Sequence, residues 1–300
     1  MGGTSVKLGV CRGAEVIFKD EPIVTERFAG ADAIVAEMAR RVSGLRERYP
    51  EVAAVGVGVP GFVDARTGIV HELTNVPGWR EVTLGEELKR LAGLPAVAEN
   101  DANCMGVAEM KYGAAGDLSD FLAITLGTGV GGAVFIDRKL HHGARSGAGE
   151  VGQMSIDYRG VDGPHDNTGA LERYVGIRQI TARAWILYAE RGQTRTLEEC
   201  APKCLTQAAC EGDPIALKVW DEFTTQLACS LSNCCWLLNP QAIVIGGGIA
   251  DAGELIFGPL RSKMKAQLAG PFQVEIRPAH FRNDAGLIGA AAIAESLVTS

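Results

Sequence analysis

Ala98-Glu99-Asn100-Asp101-Ala102-Asn103 stands between an apolar stretch, Leu94 to Ala98, and a run with helical spacing, Ala102 to Tyr112. That order places the Asp101 carboxylate at a strand-to-helix corner, a position suited to a catalytic base. A second signal follows at Gly127-Thr128-Gly129-Val130-Gly131-Gly132, flanked by the strand-like runs Phe121 to Leu126 and Ala133 to Ile136. Glycine permits positive φ and close backbone approach, so successive N–H groups can converge on phosphate oxygens, with the Thr128 hydroxyl as a further donor. A hairpin turn that needs glycine for geometry alone reads the same residues equally well. No Gly-Lys-Ser/Thr follows, and no helix follows as in a dinucleotide fingerprint. A proton acceptor and a phosphate cradle together point to phosphoryl transfer to a hydroxyl.

Working outward, Val6 to Val10 and Glu15 to Phe18 read as strands, and Ala31 to Arg48 as a helix through Ile34, Val35, Met38, Val42 and Leu45. Val52 to Val59 reads as a strand ending in the turn Pro60-Gly61-Phe62-Val63-Asp64. Beyond Tyr112 the pattern restarts, with helices near Ala170 to Ala189 and Pro214 to Leu238 and a strand at Ala242 to Ile245. That strand runs into Gly246-Gly247-Gly248, with Asp251 as the expected N-cap of the next helix. A helix start after glycines suits anions or a nucleotide edge. Two similar α/β halves are the expectation.

Composition narrows the partners. The 300 residues are 47% hydrophobic with a net charge of -7, which describes an ordered protein and argues against nucleic acid or an anionic membrane as partner. No apolar run reaches the roughly 18 to 20 residues a bilayer span needs, and no signal pattern opens the chain, so a cytoplasmic location is expected. The eight cysteines then read as reduced thiols rather than disulfides or a zinc knuckle.

Three further segments invite a ligand. Gly2-Gly3-Thr4, with Lys7 soon after, repeats the glycine-threonine style at the head of a strand, although a chain terminus also explains it. Gly143 to Gly152 surrounds Glu150 with small residues, leaving room for a polyhydroxylated ligand or simply for a surface loop. Asn75, in Thr74-Asn75-Val76-Pro77-Gly78-Trp79, is a binding candidate beside ordinary turn chemistry.

Taken together, Gly2-Gly3-Thr4, Pro60 to Asp64, Asn75 to Trp79, Glu99 to Asn103, Gly127 to Gly132, Gly147 to Gly152, and Asn239-Pro240 leading into Gly246 to Gly248 resemble the ROK family of sugar kinases. The resemblance implies an α/β protein with the two-domain actin/hexokinase-like (ribonuclease H-like) fold, mixed sheets and a cleft. A smaller domain would span 1–115 plus 286–300, and a larger one 116–285. Asp101 would accept the proton of the attacking hydroxyl at O6 of a hexose, most plainly glucose, with N-acetylmannosamine or N-acetylglucosamine as alternatives. Asn75, Asn100, Glu150, Gln153 and Glu172 would hold the sugar. Gly3, Thr4, Lys7, Gly127, Thr128 and Gly129 would meet the phosphates of ATP and Mg²⁺, and Gly246, Gly247 and Gly248 the adenosine. A homodimer is the default assembly. The rival expectation is a non-catalytic sugar-binding paralogue; repressors of the family carry an N-terminal DNA-binding helical domain, and nucleic acid is not an expected partner here.

Two departures from the family pattern carry expectations of their own. Where the family places a His and three Cys around a structural zinc, this chain reads Gln153, Gly163, His165 and Ala170. One imidazole cannot make a tetrahedral site, so no structural zinc is expected, and the Asp157 to Gly169 loop should be held by hydrogen bonds or be mobile. Family members also carry an apolar strand and an Asp before Gly-Gly-Thr, so Met1 is expected to be an internal methionine of a longer natural product with an additional first strand.

Overall fold

A computed structural model describes residues 1, 4–73 and 76–299. In chain order the elements are β1 (Ser5–Val6), β2 (Gly9–Arg12), β3 (Glu15–Lys19), β4 (Ile23–Val24), α1 (Ala31–Arg48), β5 (Val55–Val59), β6 (Val70–Glu72), β7 (Arg80–Val82), α2 (Leu84–Ala92), β8 (Ala96–Asn100) and α3 (Asp101–Tyr112). There follow β9 (Phe121–Leu126), β10 (Val130–Ile136), β11 (Lys139–His141), α4 (Glu172–Val175), α5 (Ile177–Glu190), α6 (Pro202–Cys210), α7 (Pro214–Leu238), β12 (Ala242–Gly246), α8 (Glu254–Gln267), β13 (Glu275–Pro278) and α9 (Ala285–Glu295). None of the described helices is long and apolar enough to cross a membrane.

The chain divides into two compact units. The first comprises Met1–Asp117, Arg138–Ala148 and His280–Ser300. Its sheet structure is pairwise: β2 antiparallel to β3, β5 parallel to β8, β1 with β4, and β6 with β7. The strand expected over Val6 to Val10 is therefore two short strands with different partners. A cavity of 680 Å³ lies among β2, β5, α1 and α9, touched by Val10, Val57, Met38, Val42, Leu287 and Ala290. The core beside it is built from α1 (Ile34, Val35, Met38), α2 (Leu84, Leu88) and Trp79.

Helix α9 is unusually apolar and packs on both α3 and β5, and glycines make the approach possible. A Cβ on Gly289 would overlap the Cys104 carbonyl of α3, and one on Gly56 of β5 would overlap the Ala290 carbonyl of α9. Glu109 of α3 adds a buried polar tie: its carboxylate accepts from Phe281 N (2.9 Å) and Ala114 N (2.8 Å). Glu109→Ala should lower stability, because each buried N–H left without an acceptor costs about 1–3 kcal/mol. Urea unfolding checks this, with Glu109→Gln, which retains one acceptor oxygen, expected to lose less.

The second unit comprises Leu118–Asp137 and Gly149–Ala279. Here β9 pairs antiparallel with β10 and parallel with β12, which in turn pairs parallel with β13. The β9 and β12 side chains are almost wholly buried, as fits a sheet covered on both faces. Phe121 and Phe135 are direct cross-strand partners and stack with centroids 4.3 Å apart. Helix α7 starts at the Asp213 cap, which accepts from Ile215 N and Ala216 N, and ends at Asn239 in the left-handed region (φ 47).

Two local expectations are corrected. The helix read over Ala170 to Ala189 is broken at Gly176 into α4 and α5, because Gly176 adopts extended backbone (φ -69, ψ 157). Asp251 caps nothing: it lies inside a 3₁₀ turn, Gly248–Ala252, and Gly253 (φ 62) starts α8, a backbone conformation that an aspartate adopts poorly.

Candidate functional site

In the first unit the site is the corner between β8 and α3. Parallel pairing with β5 sets Asn100 opposite Val59, so the corner opens at the carboxyl ends of both strands. The Asn100 side chain caps α3, accepting from Ala102 N (2.8 Å) and Asn103 N (3.1 Å), and its amide donates to the Gly61 carbonyl (3.1 Å). Most of its hydrogen-bonding capacity is thus structural.

Asp101 is the first residue of α3 and stays in contact with solvent. The protein surrounding it raises its pKa above the ordinary 3.8, opposed by the Met1 ammonium and the Ala102 N–H. That ammonium donates to the Gly58 carbonyl and is close enough to both Asp101 and Lys7 to feel their charges. Thr4 is exposed and its carbonyl accepts from Thr25 N (3.1 Å). Gly3 and Asn75 lie outside the described residues.

Beneath Asp101 sits a group that the sequence reading gave no role. Glu99 is buried at 7% exposure, and its Oε1 accepts from Asn100 N (2.8 Å) and Asn103 Nδ2 (2.9 Å), while Oε2 pairs with His142 Nε2 at 2.7 Å. Burial pushes the Glu99 pKa up, but the hydrogen bonds from His142, Asn103 and Asn100 outweigh it and hold the carboxyl below its ordinary value. The same bond to Glu99 raises the His142 pKa against its partial burial. No local pattern links two residues so far apart in sequence; the only signal was an unassigned Glu inside the Asp101 run.

In the second unit the candidate residues gather at the carboxyl ends of β9 and β12, where open α/β sheets bind ligands. Gly127 to Gly129 form the β9–β10 hairpin turn, closed by Gly127 N donating to the Gly129 carbonyl (3.0 Å). The segment is thus a hairpin turn, and its backbone is open at Gly127, where a Cβ would meet nothing within 4 Å. Gly246 ends β12 opposite Thr125, and Gly247 (φ 90) lies against Leu126, where a Cβ would overlap backbone. Glu172 begins α4, and its Oε2 would be 2.8 Å from a Cβ on Gly129, so this carboxylate flanks the glycine turn.

Glu150 precedes a 3₁₀ turn, Val151–Gln153, and its carbonyl accepts from Gln153 N (3.1 Å). The turn lies on β10 through Gly149 against Gly132 and Gly152 against Val130. The loop from Asp157 to Gly169 is closed by hydrogen bonds: Gly163 N to Asn167 O (2.6 Å), Gly169 N to Val161 O (2.7 Å), and Asn167 Nδ2 to Gln153 O (2.8 Å). The buried Oε1 of Gln153 and Oδ1 of Asn167 have no partner among the described residues. Among the described residues no three His, Cys, Asp or Glu side chains are grouped to hold a metal.

A family model described as ROK family matches residues 1–296. A glucokinase of Halalkalibacterium halodurans is 32% identical over 302 residues, covering 96% of this chain and 91% of that protein. A beta-glucoside kinase of Listeria innocua is 31% identical over 296 residues, covering 97% and 94%. The crystal structure of a ROK family glucokinase from Streptomyces griseus, in complex with glucose and AMPPNP, superposes with a TM-score of 0.84 at 29% identity over 99% of this chain and 97% of that one. The fold is the α/β actin/hexokinase-like fold expected from the sequence.

Proposed function

Because the chain belongs to the ROK family, we propose that it transfers the γ-phosphoryl group of MgATP to the 6-hydroxyl of a hexose, with glucose as the first choice. The observation that carries this is Asp101: a solvent-reachable carboxylate on the first turn of α3, with a pKa raised by the protein around it. A base of raised pKa is closer to matching the proton it must take from a hydroxyl. Mg²⁺ arrives with ATP as part of that substrate and neutralises phosphate charge.

The chain's own groups then divide the work. Asp101 accepts the O6 proton as the hydroxyl attacks phosphorus. Backbone N–H groups of the Gly127 to Gly129 turn and the Thr128 hydroxyl receive the phosphates, and Gly246 to Gly248 lie along the adenosine. Glu150 and Glu172 accept hydrogen bonds from ring hydroxyls, while Gln153 contributes through its amide. Thr4 and Lys7 serve the phosphate side. Because phosphoryl transfer depends mainly on in-line positioning and charge stabilisation, these parts suffice for the reaction.

The near-equal identity of the glucokinase and the beta-glucoside kinase leaves the acceptor as the open variable. A coupled ADP-release assay across glucose, mannose, fructose, the N-acetylhexosamines and a β-glucoside tests it. Glucose is expected to give the highest kcat/KM; a β-glucoside in first place would shift the reading to that substrate, and ADP release with none of them would end the kinase proposal.

A further inference from the structure

Glu99 is a charged side chain buried where the proposed reaction gives it no contact with substrate. Buried carboxylates persist when every acceptor oxygen is satisfied. Two groups of the corner itself, Asn100 N and Asn103 Nδ2, share Oε1, whereas the hydrogen bond to Oε2 comes from His142 at 2.7 Å. These bonds link with the Asn100 cap, which holds Ala102 N and Asn103 N, into a closed network around the first turn of α3. Asp101 is the first residue of that turn.

His142 brings a second element to the corner. It sits directly after β11, on a segment of the first unit also tied down by Ala65 N donating to Ser146 Oγ (3.0 Å) and Ala148 N donating to the His142 carbonyl (3.0 Å). Eight residues further along the chain is Glu150, proposed for the sugar. Taking away the His142 donor would leave Glu99 Oε2 buried without one among the described residues, and the carboxylate would turn or protonate, releasing Asn100 and Asn103.

We infer that His142 is a positioning residue: acting through Glu99, it fixes the β8–α3 corner so that Asp101 meets the attacking hydroxyl. The inference rests on the kinase reading for its catalytic part, since a displacement of about 1 Å in a catalytic group costs up to about 100-fold in rate. Around the pair stand the Cys104 thiol on α3, whose pKa burial and then Glu99 and Asp101 push up, Asp101 itself, and the neighbouring His141 and Arg145 on the segment of His142. The bond to Glu99 raises the His142 pKa, so His142 is an imidazolium below the ordinary 6.5, facing a Glu99 carboxyl that stays ionised to below its own ordinary 4.5. It becomes a neutral N–H donor as pH rises through the raised value. Geometric restraint therefore persists on the alkaline side, in weaker form.

The test compares His142→Phe, which removes the donor, with His142→Gln, whose amide N–H can still reach a carboxylate. His142→Phe is expected to lower kcat about 10- to 100-fold with little change in the KM for sugar or MgATP, and His142→Gln to restore most of it. Amide hydrogen exchange at Ala102 and Asn103 reads the corner without turnover: faster in His142→Phe, near wild type in His142→Gln. Wild-type kcat and exchange in His142→Phe, or equal losses in both variants, would overturn the assignment. Should the wild type turn over no sugar at all, the kinase reading alone falls, and the exchange comparison decides whether His142 holds the corner.

Discussion

Asp101→Asn is expected to lower kcat by about 10²–10⁴-fold, the usual contribution of a positioned general base, with sugar affinity largely kept. Asparagine matches aspartate in size and leaves the Ala102 N–H on the Asn100 oxygen, but it cannot take a proton. Turnover and sugar binding must therefore separate. Retained turnover in this variant would remove Asp101 from the base role. The raised pKa adds two signed expectations. Wild-type kcat should fall as pH drops through a value above the ordinary 3.8, since only the ionised carboxylate is a base. Stability should move the other way. A carboxyl whose pKa is raised by folding disfavours the folded state once the unfolded chain ionises, so Asp101→Asn should melt higher than wild type near neutrality. Below the ordinary carboxylate pKa the two should melt alike.

Gly289→Val should produce the largest loss of stability. The α9 backbone passes so close to Cys104 that even a Cβ overlaps its carbonyl, and backbone atoms on both sides cannot turn away as a flexible side chain would. Overpacking a core ordinarily costs about 1–3 kcal/mol, and this contact of main chain on main chain belongs at or beyond the top of that range. Denaturant unfolding measures it, with Gly286→Val as control: a Cβ there meets nothing within 4 Å. Equal stability for the two variants would mean that α9 does not pack on α3 as described.

Much of the fold was legible because apolar periodicity states it directly. Ala31–Arg48 and Pro214–Leu238 have the expected bounds, and Ile34, Val35 and Met38 are buried on the face that their spacing marks. Helix α2 was overlooked although Leu84 and Leu88 are helically spaced and Gly93 (φ 67) ends it. Strand β13 carried no usable pattern: Glu275, Arg277 and Pro278 are not strand formers, and pairing with β12 imposes the conformation. Asp101 and the glycine turns could be read because their chemistry lies within a few consecutive residues. Glu99 and His142 could not, since 43 positions separate them and only the folded chain brings them to 2.7 Å.

The first unit is assembled from three stretches of chain, the last of them His280–Ser300. During synthesis, β5 and α3 emerge long before the helix that covers both, whereas the second unit is complete at Ala279. The order of emergence therefore favours maturation of the second unit first. Until α9 leaves the ribosome, the apolar faces of β5 and α3 lack their cover, which makes this nascent half the one most in need of a chaperone.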